Sequence, residues 1–138
     1  RFCLMQCNTN YTGSVDNFNF INLNVLRTYK KEFPDVLLGL SDHTPGHETV
    51  LGAITLGARV VEKHFTDDTK RSGPDHPFSM DPNTWRQMVN SARKLEKALG
   101  NGIKSVESNE LKTVILQRRA TRVIKNIYRG QTLSLKDI

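Results

Sequence analysis

Long apolar runs are absent from this 138-residue sequence. A helix that crosses a bilayer needs about 20 consecutive and mostly apolar residues, and no stretch here approaches that length. The pattern of a secretory signal peptide, a charged start followed by an apolar segment, is also missing from the residues given. The sequence therefore predicts a protein with no membrane partner.

Cysteine is scarce: Cys3 and Cys7 are the two in the sequence, and both lie on one apolar segment. A disulfide between them would require that segment to fold back on itself, and C-x-x-x-C with no further cysteine is a weak metal signature. Reduced thiols are therefore the expected state, which favours a cytoplasmic protein.

Basic residues outnumber acidic ones, 20 to 14, which gives a formal net charge of +6. Nucleic-acid binding would be one reason for such an excess. However, no cluster of aromatic residues accompanies the basic ones as a stacking platform. The bases at 93, 94 and 97 alternate with apolar residues, as on the solvent face of an ordinary helix. No nucleic-acid partner is predicted. Further bases of the second half include Arg86, Arg118, Arg119, Arg122, Lys125 and Arg129.

The chain alternates three times between an apolar strand-like run, a loop and a helix-like segment. The strands are predicted at 2–7, 36–40 and 59–65. The first helix is predicted over 17–33, with Asp16 as its cap and Pro34 as its end. A short second helix carries apolar residues at 50, 51 and 54 and closes at Gly57. The third begins at Asp81 and Pro82 and stops at Gly100; its apolar face is Trp85, Met88, Val89, Ala92, Leu95 and Leu99.

Apolar strands that alternate with helices predict an α/β fold with parallel strands buried on both faces. An open doubly wound sheet and a (β/α)₈ barrel both fit. No G-x-G-x-x-G follows a strand, and polar residues end all three strands, which favours the barrel. Residues 1–100 are thus predicted to be part of a barrel, 101–112 a linker, and 113–138 short β segments of a second module. The abrupt ends of the sequence predict a piece of a longer protein.

Two of the strands end in similar polar clusters, "SDH" and "EKH". Because side chains alternate along a strand, Ser41 and His43 share one face, and so do Glu62 and His64. On adjacent strands about 4.8 Å apart, two imidazoles can hold one divalent ion. Nitrogen ligands suit Mn²⁺, Zn²⁺ or Fe²⁺ better than Mg²⁺. The alternative is that each histidine simply closes its strand by hydrogen bonding to the backbone.

The loop "TDDTKRSGPDHPFSM" is longer than the about 2–6 residues usual after a strand in such a fold, which favours a functional role. Asp75 is a candidate ligand, base or hydroxyl acceptor, and His76 a candidate for phosphate binding or proton transfer. An ordinary Gly-Pro turn is the alternative for this stretch. Tyr11, in the loop after the first strand, either contacts a substrate or packs over the strand ends.

Five stretches in this order, "QCNTNY", "GLSDHT", "EKHFTDD", "SGPDHPFSM" and "LEKALG", resemble the sialic acid synthases, which comprise N-acetylneuraminate synthases and their legionaminic acid relatives. The resemblance covers nearly the whole chain. It implies the last three βα units of a (β/α)₈ TIM barrel, followed by the start of a small β-rich antifreeze-like (SAF) domain, whose usual opening is similar to "RRATRVIKNIYRGQTL".

The resemblance implies an enzyme that condenses phosphoenolpyruvate with an N-acetylated hexosamine, most often N-acetylmannosamine. Water attacks C2 of the enolpyruvate, and phosphate leaves by cleavage of the C–O bond. Three alternatives stay open: a pseudaminic acid synthase, another phosphoenolpyruvate-condensing barrel, and a non-catalytic carbohydrate-binding protein with an antifreeze-like module. The "GPDH" form of the loop favours the sialic or legionaminic branch over the pseudaminic one.

The resemblance also implies residue roles. A divalent metal, most often Mn²⁺ with Mg²⁺ or Co²⁺ as alternatives, would be bound by His43 and His64 and would polarise the sugar aldehyde. Glu62 and Asp75 are the candidate catalytic groups, Glu62 beside the metal and Asp75 at the sugar hydroxyls. The candidate substrate-binding residues are Ser41, on the phosphoenolpyruvate side, and Tyr11, Asp75 and His76.

The sequence departs from the family's C-T-x-x-Y-P run: Asn8 stands for Thr and Thr12 for Pro, and Gln6 replaces a frequent His. The sugar preference can therefore differ. The resemblance further implies a homodimer in which each SAF domain caps the other protomer's barrel. Since the family's phosphate-binding lysines and its first catalytic glutamate belong to an N-terminal half that is not in this sequence, the 138 residues are expected to be inactive alone.

Overall fold

The structure is a computed structural model that describes residues 2–117 and 119–138. The chain divides into two compact units, one that runs to Asn101 and one from Gly102 to Ile138. The first unit carries the alternating strands and helices. The second is small and is described separately below.

Three parallel strands form the sheet of the first unit: β1 (Cys3–Cys7), β2 (Leu37–Asp42) and β3 (Val60–Lys63). Their order in the sheet is their order in the chain, so each connection joins neighbouring strands, as is common for consecutive elements. Cys7 pairs with Ser41, and Ser41 pairs with Glu62. The predicted parallel α/β arrangement is confirmed. The third strand is shorter than the predicted 59–65, so His64 follows the strand.

Three α-helices connect and follow the strands: α1 (Val25–Glu32), α2 (Glu48–Thr55) and α3 (Pro82–Leu99). The predicted ends of α3 are confirmed. The Asp81 carboxylate accepts the backbone N–H of Thr84 at 2.7 Å, and the Thr84 hydroxyl accepts the N–H of Asp81. This reciprocal cap satisfies two donors that a helix start leaves free. The backbone hydrogen bond from Thr84 lowers the pKa of Asp81 below its ordinary value.

The core lies between the sheet and the helices. Leu38 and Leu40 alternate along β2 and both face the helices, where they meet Leu26 of α1 and Ala53 of α2. The prediction that the strands are buried on both faces is wrong for the described residues. Leu37 and Val60, which face the other side of the sheet, are 47% and 39% exposed.

The predicted apolar face of α3 is buried in part. Met88 is buried in the core, and Trp85 packs against it. Val89 and Leu99, at the edges of the predicted face, are exposed. The reason is geometric: only the central line of a helical stripe reaches the sheet, and its flanks need further neighbours.

The single helix predicted over 17–33 is wrong. The segment forms a 3₁₀-helix (Val15–Phe20) and then α1, separated by Asn22, whose φ of +47° is incompatible with a continuous helix. The predicted cap, Asp16, is also wrong. Ser14 caps the 3₁₀-helix instead, because its side chain accepts the N–H of Asp16.

The second unit is not the set of β segments predicted for 113–138. It contains a 3₁₀-helix (Ser108–Glu110) that continues into α4 (Leu111–Gln117), and a last 3₁₀-helix (Leu135–Asp137). Reciprocal hydrogen bonds between Glu107 and Glu110 start the helical path, which accounts for a helix where the apolar residues suggested a strand. Arg118 lies outside the described residues. The part of 102–138 that is described contains no strand.

Candidate active site at the carboxyl ends of the strands

His43 and His64 lie side by side just after the ends of β2 and β3. Their ring centroids are 5.2 Å apart, with the planes inclined at 62°. The closeness follows from the register: Ser41 pairs with Glu62, so the residues two positions further along each strand also meet. Because a ligated nitrogen lies about 2.1 Å from a bound metal ion, rings at this spacing can both reach one ion.

The imidazole of His43 is oriented by the backbone. Its Nδ1 lies 2.8 Å from the carbonyl oxygen of Asn8, in the loop that follows β1. A carbonyl accepts, so Nδ1 carries the proton and Nε2 keeps its lone pair. The ring is buried, being 4% exposed. This arrangement fits a metal ligand whose second nitrogen is held by a hydrogen bond. It also shows the backbone contact that the alternative interpretation of a strand-end histidine predicts.

Ser41 and Glu62 form the next pair down the same face. The Ser41 hydroxyl donates to Oε1 of Glu62 at 2.9 Å. Glu62 is exposed on the open face of the sheet, whereas Ser41 is half-buried. The hydrogen bond holds the carboxylate on the same side of the sheet as the two imidazoles.

Tyr11 packs over the histidine pair. Its ring centroid lies 4.0 Å from that of His43 and 5.4 Å from that of His64. The buried Asn17 positions the loop: it accepts from the Asn10 side chain at 2.9 Å and donates to the Asn10 carbonyl at 3.1 Å. The amide of Asn17 also lies 3.4 Å from the hydroxyl of Thr12. The residues on both sides of Tyr11 are thus fixed by one side chain.

The long loop after β3 brings Asp75 and Phe78 to the same place. Oδ2 of Asp75 lies 3.7 Å from Nδ1 of His64, and the Phe78 ring lies 5.2 Å from the His64 ring. Gly13 makes the contact between the two loops possible. A Cβ on Gly13, whose φ is +63°, would lie 2.2 Å from the Cβ of Phe78.

His76 forms a hydrogen bond within the long loop after β3. Its Nδ1 lies 2.7 Å from the hydroxyl of Thr66, which also hydrogen-bonds to Asp68. A second contact within the loop is the ion pair of Arg71 with Asp67, and the hydrogen bond from Arg71 lowers the pKa of the Asp67 carboxyl. The structure therefore brings together six of the seven predicted site residues in one patch: Tyr11, Ser41, His43, Glu62, His64 and Asp75. The substrate-binding role predicted for His76 stays a prediction.

The sequence was compared with models of known protein families. The sequence model described as the NeuB family matches residues 1–104, which include every candidate site residue. The chain belongs to the NeuB family.

Several NeuB relatives are similar over most of this chain. The N,N'-diacetyllegionaminic acid synthase of Campylobacter jejuni is 37% identical over 131 residues, which are 95% of this chain and 38% of that protein. The human N-acetylneuraminate-9-phosphate synthase is 37% identical over 106 residues, 77% of this chain and 29% of that protein. The chain thus spans about two fifths or less of the curated relatives it matches.

The fold agrees with a solved structure, the N-acetylneuraminic acid (sialic acid) synthetase of Leptospira borgpetersenii in complex with citrate. The match has a TM-score of 0.69 and 28% identity, and covers 84% of this chain and 39% of that one. In the part of the NeuB chain that is described here, no helix has both the length and the apolar character that crossing a bilayer requires.

One group in this NeuB chain was missed by the sequence analysis. Asp42 and Lys63 pair on the helix-facing side of the strands, with Lys63 Nζ 2.7 Å from Asp42 Oδ2. Thr44 and Thr49 donate to the same carboxylate. The signal was present: "SDH" and "EKH" place opposite charges at the same position of matching motifs. Lysine is seldom buried, however, so nothing in its identity suggested an interior place.

Proposed function

We propose that this chain is the carboxyl-terminal part of the barrel of a nonulosonic acid synthase, which condenses phosphoenolpyruvate with an N-acetylated hexosamine and releases phosphate. The observation that supports it most directly is the pair of imidazoles at the strand ends, with Glu62, Asp75 and Tyr11 around them, in a chain of the NeuB family. The names of the relatives, synthases of legionaminic and neuraminic acids, support the product class.

The metal in this proposal would be held by His43 and His64. The donor set fits a divalent ion such as Mn²⁺, since one nitrogen of His43 is committed to Asn8 and the other is left with its lone pair. Water and substrate oxygens would complete the coordination. When bound, such an ion would supply Lewis acidity, which would stabilise negative charge on the aldehyde oxygen of the open-chain sugar.

The chain's own residues would orient the two substrates around that point. Ser41 would contact phosphoenolpyruvate, and Glu62, held by Ser41, would take a proton during addition of water at C2. Asp75 would accept hydrogen bonds from the sugar hydroxyls, and the Tyr11 ring would cover the sugar side. In this reaction a C–C bond would form between C3 of phosphoenolpyruvate and the aldehyde carbon, whose oxygen gains a proton. At C2 a new C–O bond to water would form, the proton lost by water would pass to Glu62, and the C–O bond to phosphate would break.

Residues 113–138 would begin the SAF domain, the full-length protein would be a homodimer and cytoplasmic, and the 138 residues alone would be inactive. The last point is supported by coverage: the chain spans 38% of the length of the Campylobacter jejuni relative, so we expect part of the proposed site to be supplied by the rest of the full-length protein. Metal-dependent product formation by the isolated 138-residue chain would contradict it.

The test is phosphate release by the full-length protein from phosphoenolpyruvate, with a panel of hexoses that carry one or two acetamido groups. His43→Ala and His64→Ala are the test variants. His47→Ala is the control, because His47 lies at the start of α2 and is not part of the histidine pair. We expect His43→Ala and His64→Ala to lose both bound Mn²⁺ and phosphate release, and His47→Ala to keep both. Full activity after loss of either histidine would refute the metal role. Phosphate release with a precursor of pseudaminic acid, and with no other hexose, would instead indicate a pseudaminic acid synthase.

A further inference from the structure

Asp42 and Lys63 form an ion pair that is removed from solvent. The side chain of Asp42 is 0% exposed and that of Lys63 is 2% exposed. Lys63 Nζ lies 2.7 Å from the Asp42 carboxylate and 2.7 Å from the Thr44 carbonyl oxygen. The hydroxyls of Thr44 and Thr49 and the N–H of Thr44 also donate to Asp42. Both charges are therefore fully engaged, and their positions are fixed.

The pair occupies a particular place in the sheet. Asp42 and Lys63 are the last partners in the register of β2 with β3. Each of them immediately precedes a histidine, and strand alternation places them on the face opposite to the imidazoles. Regular pairing of the two strands ends there, so the ion pair is the last lateral link before His43 and His64.

Stability alone does not account for such a pair. Desolvation of two charges offsets most of their attraction, and apolar residues of similar volume often serve a fold as well or better. What an ion pair with five short contacts adds is a fixed distance between the groups that it joins. Here those groups are the two strand ends that carry the histidines.

We infer that Asp42 and Lys63 are positioning residues that hold His43 and His64 at the spacing at which both bind one divalent cation. The inference rests on the proposed function for the metal, but not on the reaction that follows. Lys63 connects three points, namely its own strand, Asp42 of β2 and the Thr44 carbonyl beyond His43. Without its ammonium group, the Asp42 carboxylate and the Thr44 carbonyl lose their contacts with the Lys63 side chain.

The test uses the full-length protein with Mn²⁺ alone, without substrates. Pulsed electron paramagnetic resonance counts the imidazole nitrogens on the ion, and the free-Mn²⁺ signal gives the affinity. The unaltered protein is expected to show two imidazoles. Lys63→Met is expected to bind Mn²⁺ about 10- to 100-fold more weakly, as for other residues that orient metal ligands, and to show one imidazole. Lys94→Met, at an exposed position on α3, removes the same charge and should change neither readout.

A second variant separates positioning from folding. In Lys63→Met the Asp42 carboxylate keeps its threonine donors but loses its counter-charge, so the variant can unfold. Asp42→Asn/Lys63→Met removes both charges and is the more stable form to test. Two imidazoles and unchanged affinity in a folded single or double variant would overturn the inference. Absence of imidazole coordination in the unaltered protein would instead overturn the metal role itself, and this inference with it.

Discussion

The Ser41 hydroxyl and the Glu62 carboxylate meet across β2 and β3, with Oγ 2.9 Å from Oε1. The two residues are direct partners in the strand register. The hydrogen bond holds the Glu62 side chain on the face of the sheet that carries the histidine pair.

Glu62→Gln tests whether that carboxylate acts as a base. Glutamine preserves the size of the side chain and can still accept from Ser41, but it cannot take a proton. We expect kcat for phosphate release to fall by about 10²-fold or more, while Mn²⁺ stays bound. Glu32→Gln, at an exposed position on α1, is the matched control. A Glu62→Gln rate within about threefold of that of the unaltered protein would exclude this role.

Asn17→Ala tests the support of the Tyr11 loop. Loss of the amide frees Asn10 and Thr12 on both sides of Tyr11, so the ring no longer holds one position over His43. We expect KM for the hexosamine to rise about 10-fold, with a smaller change in KM for phosphoenolpyruvate. Steady-state kinetics with each substrate varied in turn measures the split. Asn19→Ala, at an exposed position, is the control and should leave both KM values unchanged. An equal rise in KM for the two substrates in Asn17→Ala would argue against a role of the Tyr11 loop in binding the sugar.

Leu26→Ala tests the core under the site. Leu26 is fully buried against the strand that ends in His43. Its truncation leaves a cavity and should lower the free energy of unfolding by about 2–5 kcal/mol. Leu26→Met keeps the volume and should cost less than about 1.5 kcal/mol. Urea denaturation compares the two variants, and equal losses would show that this site is not close-packed.

Asp81→Asn tests the helix cap through its pH dependence. The hydrogen bond from the Thr84 backbone lowers the pKa of Asp81 in the folded state. A group with a lowered folded pKa stabilises the fold above its unfolded pKa, here 3.8, and loses that contribution as pH falls through the folded value. Asparagine caps without titrating. The difference in melting temperature between the two proteins should therefore shrink below about pH 4, and a constant difference down to pH 2 would contradict the assignment.

The strand positions and the meeting of the two histidines could be predicted, because both depend on apolar runs and on the two-residue period of a strand. His43 and His64 lie together where that period puts them. The break at Asn22 could not be predicted, since a left-handed residue between two helical segments leaves no trace in an apolar pattern. Ser14 and Asp16 are both good caps, and only the geometry of the turn decides between them.

The second unit and the ion pair show a different limit. The apolar residues of α4 are compatible with either a strand or a helix, and the Glu107–Glu110 hydrogen bonds decide the outcome. Lys63 is a buried charge whose partner lies 21 positions earlier, and only the register of β2 with β3 brings them together. Polar contacts between distant segments depend on tertiary structure, which local patterns do not contain.

The pairing of Ser41 with Glu62 and of Asp42 with Lys63 has an evolutionary consequence. A one-residue insertion or deletion within β2 before Asp42, or within β3 before Lys63, would exchange the two faces of that strand end. It would turn an imidazole toward the helices and a charge toward the open face of the sheet. The segments after Thr44 and Thr66 carry no such constraint, because loops accept changes of length. New substrate preferences in descendants of this chain should therefore arise through the lengths of these loops, while the spacing within "SDH" and "EKH" stays fixed.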